Sequence, residues 1–144
     1  MPGGYRVNAG RVSARTKKGH DMKGFLIDTV NKTAAEVEFE SKLETYYKLL
    51  HCSTIDIAMR RVGDRTFDVV CDDEGLMLDK PVISAISKNC EPMLVGSLLF
   101  VHHDAEGNTT GLSDDDVSYL RWHVRHVRTV NDPDGHPCMT GVDY

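Results

Sequence analysis

The chain lacks any apolar run approaching the roughly 18–20 residues that a membrane helix needs, and no apolar stretch follows a basic start as it does in a secretory signal. The expectation from these absences is a cytoplasmic protein with no membrane partner. The four cysteines, Cys52, Cys71, Cys90 and Cys138, show no short paired spacing, so neither a disulfide framework nor a CxxC metal site is encoded. Three of them sit in or beside apolar segments, where a reduced thiol behaves as a small hydrophobe. Catalytic signatures are missing too: there is no G-x-S-x-G, no P-loop and no G-x-G-x-x-G. With no catalytic constellation and no cofactor motif, the expectation is a non-enzymatic protein. Aromatic residues make up only 7% of the chain, with a single tryptophan, Trp122, and residues 1–24 hold none but Tyr5, so that stretch lacks stacking platforms for single-stranded nucleic acid.

What is present is an ordinary soluble composition, 40% hydrophobic and 27% charged over 144 residues, enough for one domain with a sizeable core. The charge is uneven. Residues 1–24 hold Arg6, Arg11, Arg15, Lys17, Lys18 and Lys23 against Asp21, a net of +5; the whole chain carries −5, which leaves −10 on the remainder. The organisation read from this is a basic arm at 1–24 with a short edge strand at Tyr5-Val7-Ala9, one domain at 25–129, and an irregular tail at 130–144 rich in turn residues.

Within the domain, Gly24–Val30 is a short continuous apolar run, read as a core strand. "EVEFE" alternates as a strand does, and from Ser41 the spacing turns helical, with Leu43, Tyr46, Tyr47 and Leu50 on one face. Ser41 and Glu44 form a capping-box pattern for a helix at about 41–51. Residues 54–61 and 66–72 form a hairpin. A three-residue loop, Gly63-Asp64-Arg65, keeps Met59 opposite Val69 and Ile57 opposite Cys71, so it is preferred to a two-residue turn that mixes the faces. "PVISAISKN" reads as a short helix opened by Pro81, and "MLVGSLLFVHH" as one covered strand. "SDDDVSYLRWHVRHVRTV" reads as a single helix: Ser113 caps it, Asp114, Asp115 and Asp116 fill its first turn, and Val117, Leu120, Val124 and Val127 form its core stripe. Arg121, Arg125 and Arg128 then favour its C-terminal end. The expected fold is α+β: a small, mostly antiparallel sheet around the hairpin with two to three helices packed on it.

Four stretches together resemble a family of small uncharacterised domains found in phages and other bacterial mobile elements: Ile55-Asp56, Val69 to Gly75, Val95 to Leu98, and Leu112 to Asp116. The resemblance covers roughly residues 41–121. It implies a mobile-element origin and a bacterial host cell as the setting. It carries no reaction and no site residues.

The candidate sites are therefore read from the residues. Asp72-Asp73-Glu74 is acidic, but Leu and Met stand where a calcium loop needs oxygen ligands. It reads as the end of a strand, with Gly75 supplying a positive φ. His123, His126, His136 and Cys138 are weak candidates for a metal, the first two at i, i+3 on the expected helix. Arg11, Arg15, Lys17 and Lys18, separated by small residues, suit tracking of phosphates, the reading in which the chain is a nucleic-acid or small-ligand binding accessory protein. Tyr119, Trp122 and His126 fall on the side of the last helix opposite its core stripe, a surface to be covered by the tail, by a second copy in a homo-oligomer, or by a partner. The functional expectation is an interaction protein acting on a host protein or nucleoprotein, with inhibition of host defence as the specific form.

Overall fold

The structure, a computed structural model, describes residues 21–75 and 80–144. The N-terminal arm, including Arg11, Arg15, Lys17 and Lys18 and the strand expected at Tyr5–Ala9, lies outside the described residues. The strands, in chain order, are β1 (Asp21–Asp28), β2 (Thr33–Glu40), β3 (Ile55–Val62), β4 (Arg65–Asp72), β5 (Ile83–Ile86), β6 (Pro92–Val95), β7 (Leu98–His103), β8 (Thr109–Thr110), β9 (Val124–Thr129), β10 (Asp132–Met139) and β11 (Val142–Asp143). The helices are α1 (Leu43–Leu50), between β2 and β3, and α2 (Asp114–His123), between β8 and β9.

The larger sheet runs β11-β3-β4-β7-β1-β2, with β8 hydrogen-bonded to β7, and every pairing in it is antiparallel. The smaller sheet runs β9-β10-β5-β6, and only its β10–β5 pair is parallel. Alternation along the central strands sends apolar side chains to both faces of the larger sheet. Leu26, Val37, Phe39, Val70, Leu99 and Val101 face α1, which contributes Tyr46, Leu49 and Leu50. Phe25, Ile27, Phe67, Val69, Leu98 and Phe100 face the other way, onto Val117 and Leu120 of α2 and onto Ala85 and Met139 of the smaller sheet. The result is three layers: α1, the larger sheet, then α2 beside the smaller sheet.

The expected α+β fold is thus corrected. Strands make up 53% of the described residues and helix 16%, in two sheets with two helices. Much of the difference comes from segments that are strands rather than helix or tail. "PVISAISKN" supplies β5, held between β10 and β6; a short apolar segment of this kind fits helix or strand equally until a neighbour claims its backbone. The last helix stops at His123, and Val124–Thr129 is extended because it pairs with β10 from Val124↔Met139 to Thr129↔Asp132. Val124 and Val127 therefore belong to a strand. The tail expected to be irregular supplies β10 and β11, with Cys138, Met139 and Val142 fully buried. "MLVGSLLFVHH" is two strands, broken at Gly96 (φ +77°) and Ser97.

Three local expectations also change. The hairpin has the two-residue Gly63-Asp64 turn, with Val62 opposite Arg65 and Met59 opposite Asp68. Gly63 takes a φ of +61° with the Tyr119 hydroxyl against it, and Tyr119 Oη donates to the Val62 carbonyl (2.9 Å) and accepts from Asp64 N–H (2.9 Å). Tertiary contacts thus select the turn, at the cost of leaving Ile57 and Met59 49% and 55% exposed. Ser41 does not cap α1: Lys42 is the N-cap, and the Ser41 hydroxyl bonds Tyr46 Oη at 2.6 Å. Gly75 has no positive φ; it is buried, and a Cβ there would press on Val95. The Asp72 carboxylate accepts from Glu74 N–H at 2.9 Å, a turn bond.

Candidate functional site

Helix α2 is fixed at both ends. Ser113 and Asp116 form a reciprocal capping box (3.0 and 3.2 Å). The Asp116 carboxylate also meets His102 Nε2 (3.0 Å) and Arg65 Nη1 (3.2 Å). Burial pushes its carboxyl up, yet the Ser113 and His102 bonds outweigh burial and hold it below the usual carboxylate range. At the far end, the His123 carbonyl accepts from Thr140 N–H (3.1 Å) and from the Thr140 hydroxyl (2.6 Å). Leu120 is buried, so Trp122, two residues on and about 200° around the helix, points outward. It is 74% exposed.

Where the chain leaves α2 and enters β9, the smaller sheet and the β1–β2 turn form an open cleft of about 460 Å³. Val124, Ala34 and Pro137 give it apolar walls; Lys32, Arg125, His126 and Asp134 give it polar groups. The Arg125 guanidinium folds back onto the backbone carbonyls of Trp122 (2.7 Å) and Val124 (2.9 Å), which is favourable at a helix C-terminus. His126 Nε2–H donates to the Asp134 carbonyl at 3.2 Å, with its ring over Gly135. Lys32 pairs with Asp132 at 2.9 Å. Asp132 in turn accepts from His136 Nδ1 at 2.9 Å, while His136 Nε2 lies 2.5 Å from the Ile83 carbonyl. His136 is fully buried and ties β10 to β5.

The structure separates the surface expected for Tyr119, Trp122 and His126. Tyr119 turns inward to the hairpin, under the Arg65 guanidinium (4.3 Å from its ring centre). His126 sits on a strand. His126 lines the cleft, and Trp122 stands two residues along the chain before Val124, the first of the cleft's lining residues on β9. The weak metal set is not assembled: His123 Nδ1 is bonded to the Tyr119 carbonyl (2.9 Å), His136 to Asp132 and Ile83, and Cys138 is buried. Among the described residues no group of three or more His, Cys, Asp or Glu side chains is placed to hold a metal. Burial pushes the Cys71 thiol up to about 11 and the Cys138 thiol up to about 12, so neither supplies a thiolate nucleophile. Sequence reasoning missed Lys32, Ala34, Asp134, Gly135 and Pro137. Their only sequence signal is turn chemistry, which does not say that two turns share one cleft.

These features define a small, mostly β, two-sheet protein with an exposed aromatic residue beside a polar-rimmed cleft. The chain belongs to a family described as a domain of unknown function, DUF3846, whose family model matches residues 22–125. That span runs from β1 to the start of β9 and contains the region over which the resemblance was read. No curated protein and no solved structure matches the chain. Among the described residues no helix is long and apolar enough to cross a membrane.

Proposed function

We propose that the chain is a non-enzymatic interaction protein that docks on a protein or nucleoprotein partner through Trp122 and the cleft beside it. The single observation that carries this reading is the 74% exposure of Trp122. Wet apolar surface costs about 25 cal/mol per Å², and exposed Trp flanked by Arg is the composition of binding hot spots. Neither the tail nor any other described segment covers it. The resemblance to mobile-element domains makes a component of the bacterial host, including its defence machinery, the partner class to search first.

The test uses Trp122→Ala. Since Trp122 contributes nothing to the core, the variant should keep its unfolding free energy within about 0.5 kcal/mol, as surface substitutions do. It should lose the partner that the wild-type protein captures from a bacterial lysate, read by mass spectrometry. Capture of the same partners at the same yield would overturn the reading. Nucleic-acid binding whose salt dependence vanishes when residues 1–20 are removed would favour the basic arm instead.

A further inference from the structure

We propose that the chain pairs with a second copy of itself along the outer edge of β3, antiparallel, in the register centred on Ala58. One side of β3 is taken by β4. On the other, β11 occupies only Arg61 and Val62, so among the described residues no strand pairs with Ile55–Arg60 on that side. Two hydrogen bonds show which backbone groups point outward there. Ile57 N–H donates to its neighbour's carboxylate, Asp56 Oδ1, at 2.9 Å. The Met59 carbonyl accepts from its neighbour's guanidinium, Arg60 Nη1, at 3.0 Å. The edge is therefore capped by its own charged side chains, a device that discourages pairing with unrelated strands.

The same two charges select one partner. Among the described residues neither Asp56 nor Arg60 has an ion-pair partner: they appear in none of the salt bridges, and the Arg60 guanidinium instead lies over the exposed Tyr144 ring, 4.9 Å from its centre. Arg60 Nε is buried with no hydrogen-bond partner. Asp56 and Arg60 stand symmetrically about Ala58. A two-fold axis through Ala58 places Asp56 opposite the partner's Arg60, and Arg60 opposite the partner's Asp56. In the same register Ile57 faces the partner's Met59. Directly opposed residues of an antiparallel pair exchange both backbone bonds when their N–H and C=O groups face each other, and those of Ile57 and Met59 do. The local caps are then exchanged for bonds between copies. Ile57 and Met59, half-exposed in one chain, meet the partner's Ile57 and the partner's Met59 on one face of a sheet continuous across both copies. Sliding the pair by two residues in either direction sets Asp56 or Arg60 opposite Ala58 and leaves the charges unpaired. The stretch beyond β11 accommodates Asp56–Arg60 on both copies once the exposed Tyr144 ring, which lies over the Arg60 guanidinium, gives way to the partner's Asp56. This is an isologous, self-complementary contact, specific because charge rejects the alternatives.

The test is solution mass by sedimentation over a concentration series at low salt, on the full chain. Wild type should shift to twice the monomer mass. Asp56→Arg and Arg60→Asp, each alone, set like charges face to face and should be monomeric. An equimolar mixture of the two single variants should restore the dimer, because the first chain then offers only cations and the second only anions. Circular dichroism of each variant checks that both remain folded. A monomeric wild type, a dimer that survives either single substitution, or a mixture of folded variants that stays monomeric would each overturn the proposal.

Discussion

Gly135 has a φ of +93°, and a Cβ added there would overlap the His126 ring. Both the backbone conformation and the close approach require glycine. Gly135→Ala should therefore cost more than about 1 kcal/mol, the usual gain or loss for glycine substitutions at compatible sites. In a double-mutant cycle with His126→Ala, the steric part should be recovered and the backbone part retained, as read from urea midpoints. Asp28 gives the sign of the pH response. It is fully buried and accepts from Val30 N–H (3.0 Å), Asn31 N–H (3.0 Å), Asn31 Nδ2 (2.9 Å) and His51 Nε2 (3.1 Å). Burial pushes its carboxyl up, but the Asn31 and His51 bonds outweigh burial and hold it below its usual value. A folded-state value below the unfolded one means that its stabilisation is present above the unfolded pKa of about 3.9 and is lost as pH falls through the folded value. Asp28→Asn should accordingly be less stable than wild type at neutral pH, and its unfolding midpoint should fall less between pH 5 and pH 3.

At the scale of the element, β10 and β11 matter most. Met139 packs in the core between the sheets, Cys138 is fully buried on the same strand, and Val142 pairs with Val62 at the edge of the larger sheet. Removing residues 131–144 should abolish cooperative thermal unfolding; a truncated chain with a sharp transition would show that these strands are dispensable. Such an outcome was not visible in the sequence, where "NDPDGHPC" offers turn residues and no alternation. Elements with strong local signals were legible: "EVEFE", a helix over α1, both hairpin strands, and Ser113 as an N-cap; the α1 stripe was legible only in part, since Leu43 is exposed and Leu49 is buried. The β9 segment was not. Val117, Leu120, Val124 and Val127 keep helical spacing, and the β-branched Val124, Val127, Thr129 and Val130 were the only hint of strand. Pairing with β10 settled it, and that pairing is a tertiary fact. The cleft was half legible for the same reason: His126 and the neighbouring Trp122 stood out individually, while its opposite wall depends on how the β1–β2 turn approaches β10.

For the whole molecule, alternation of apolar residues indicates how many faces each strand buries, but not which strands share a sheet. The continuous runs in β1 and β7 mark a sheet covered on both sides, and α1 and α2 account for only part of that cover. The remainder, the smaller sheet, is assembled from segments far apart in the chain: β5 and β6 from the middle, β9 and β10 from near the end. This arrangement bears on how the protein is made. Both sheets draw strands from residues 132–143, so a nascent chain still holding those residues inside the ribosome has one sheet missing a strand and the other missing its central partner. Its two-faced apolar strands remain uncovered until synthesis has passed that point, and chaperones have the whole of that interval in which to bind them.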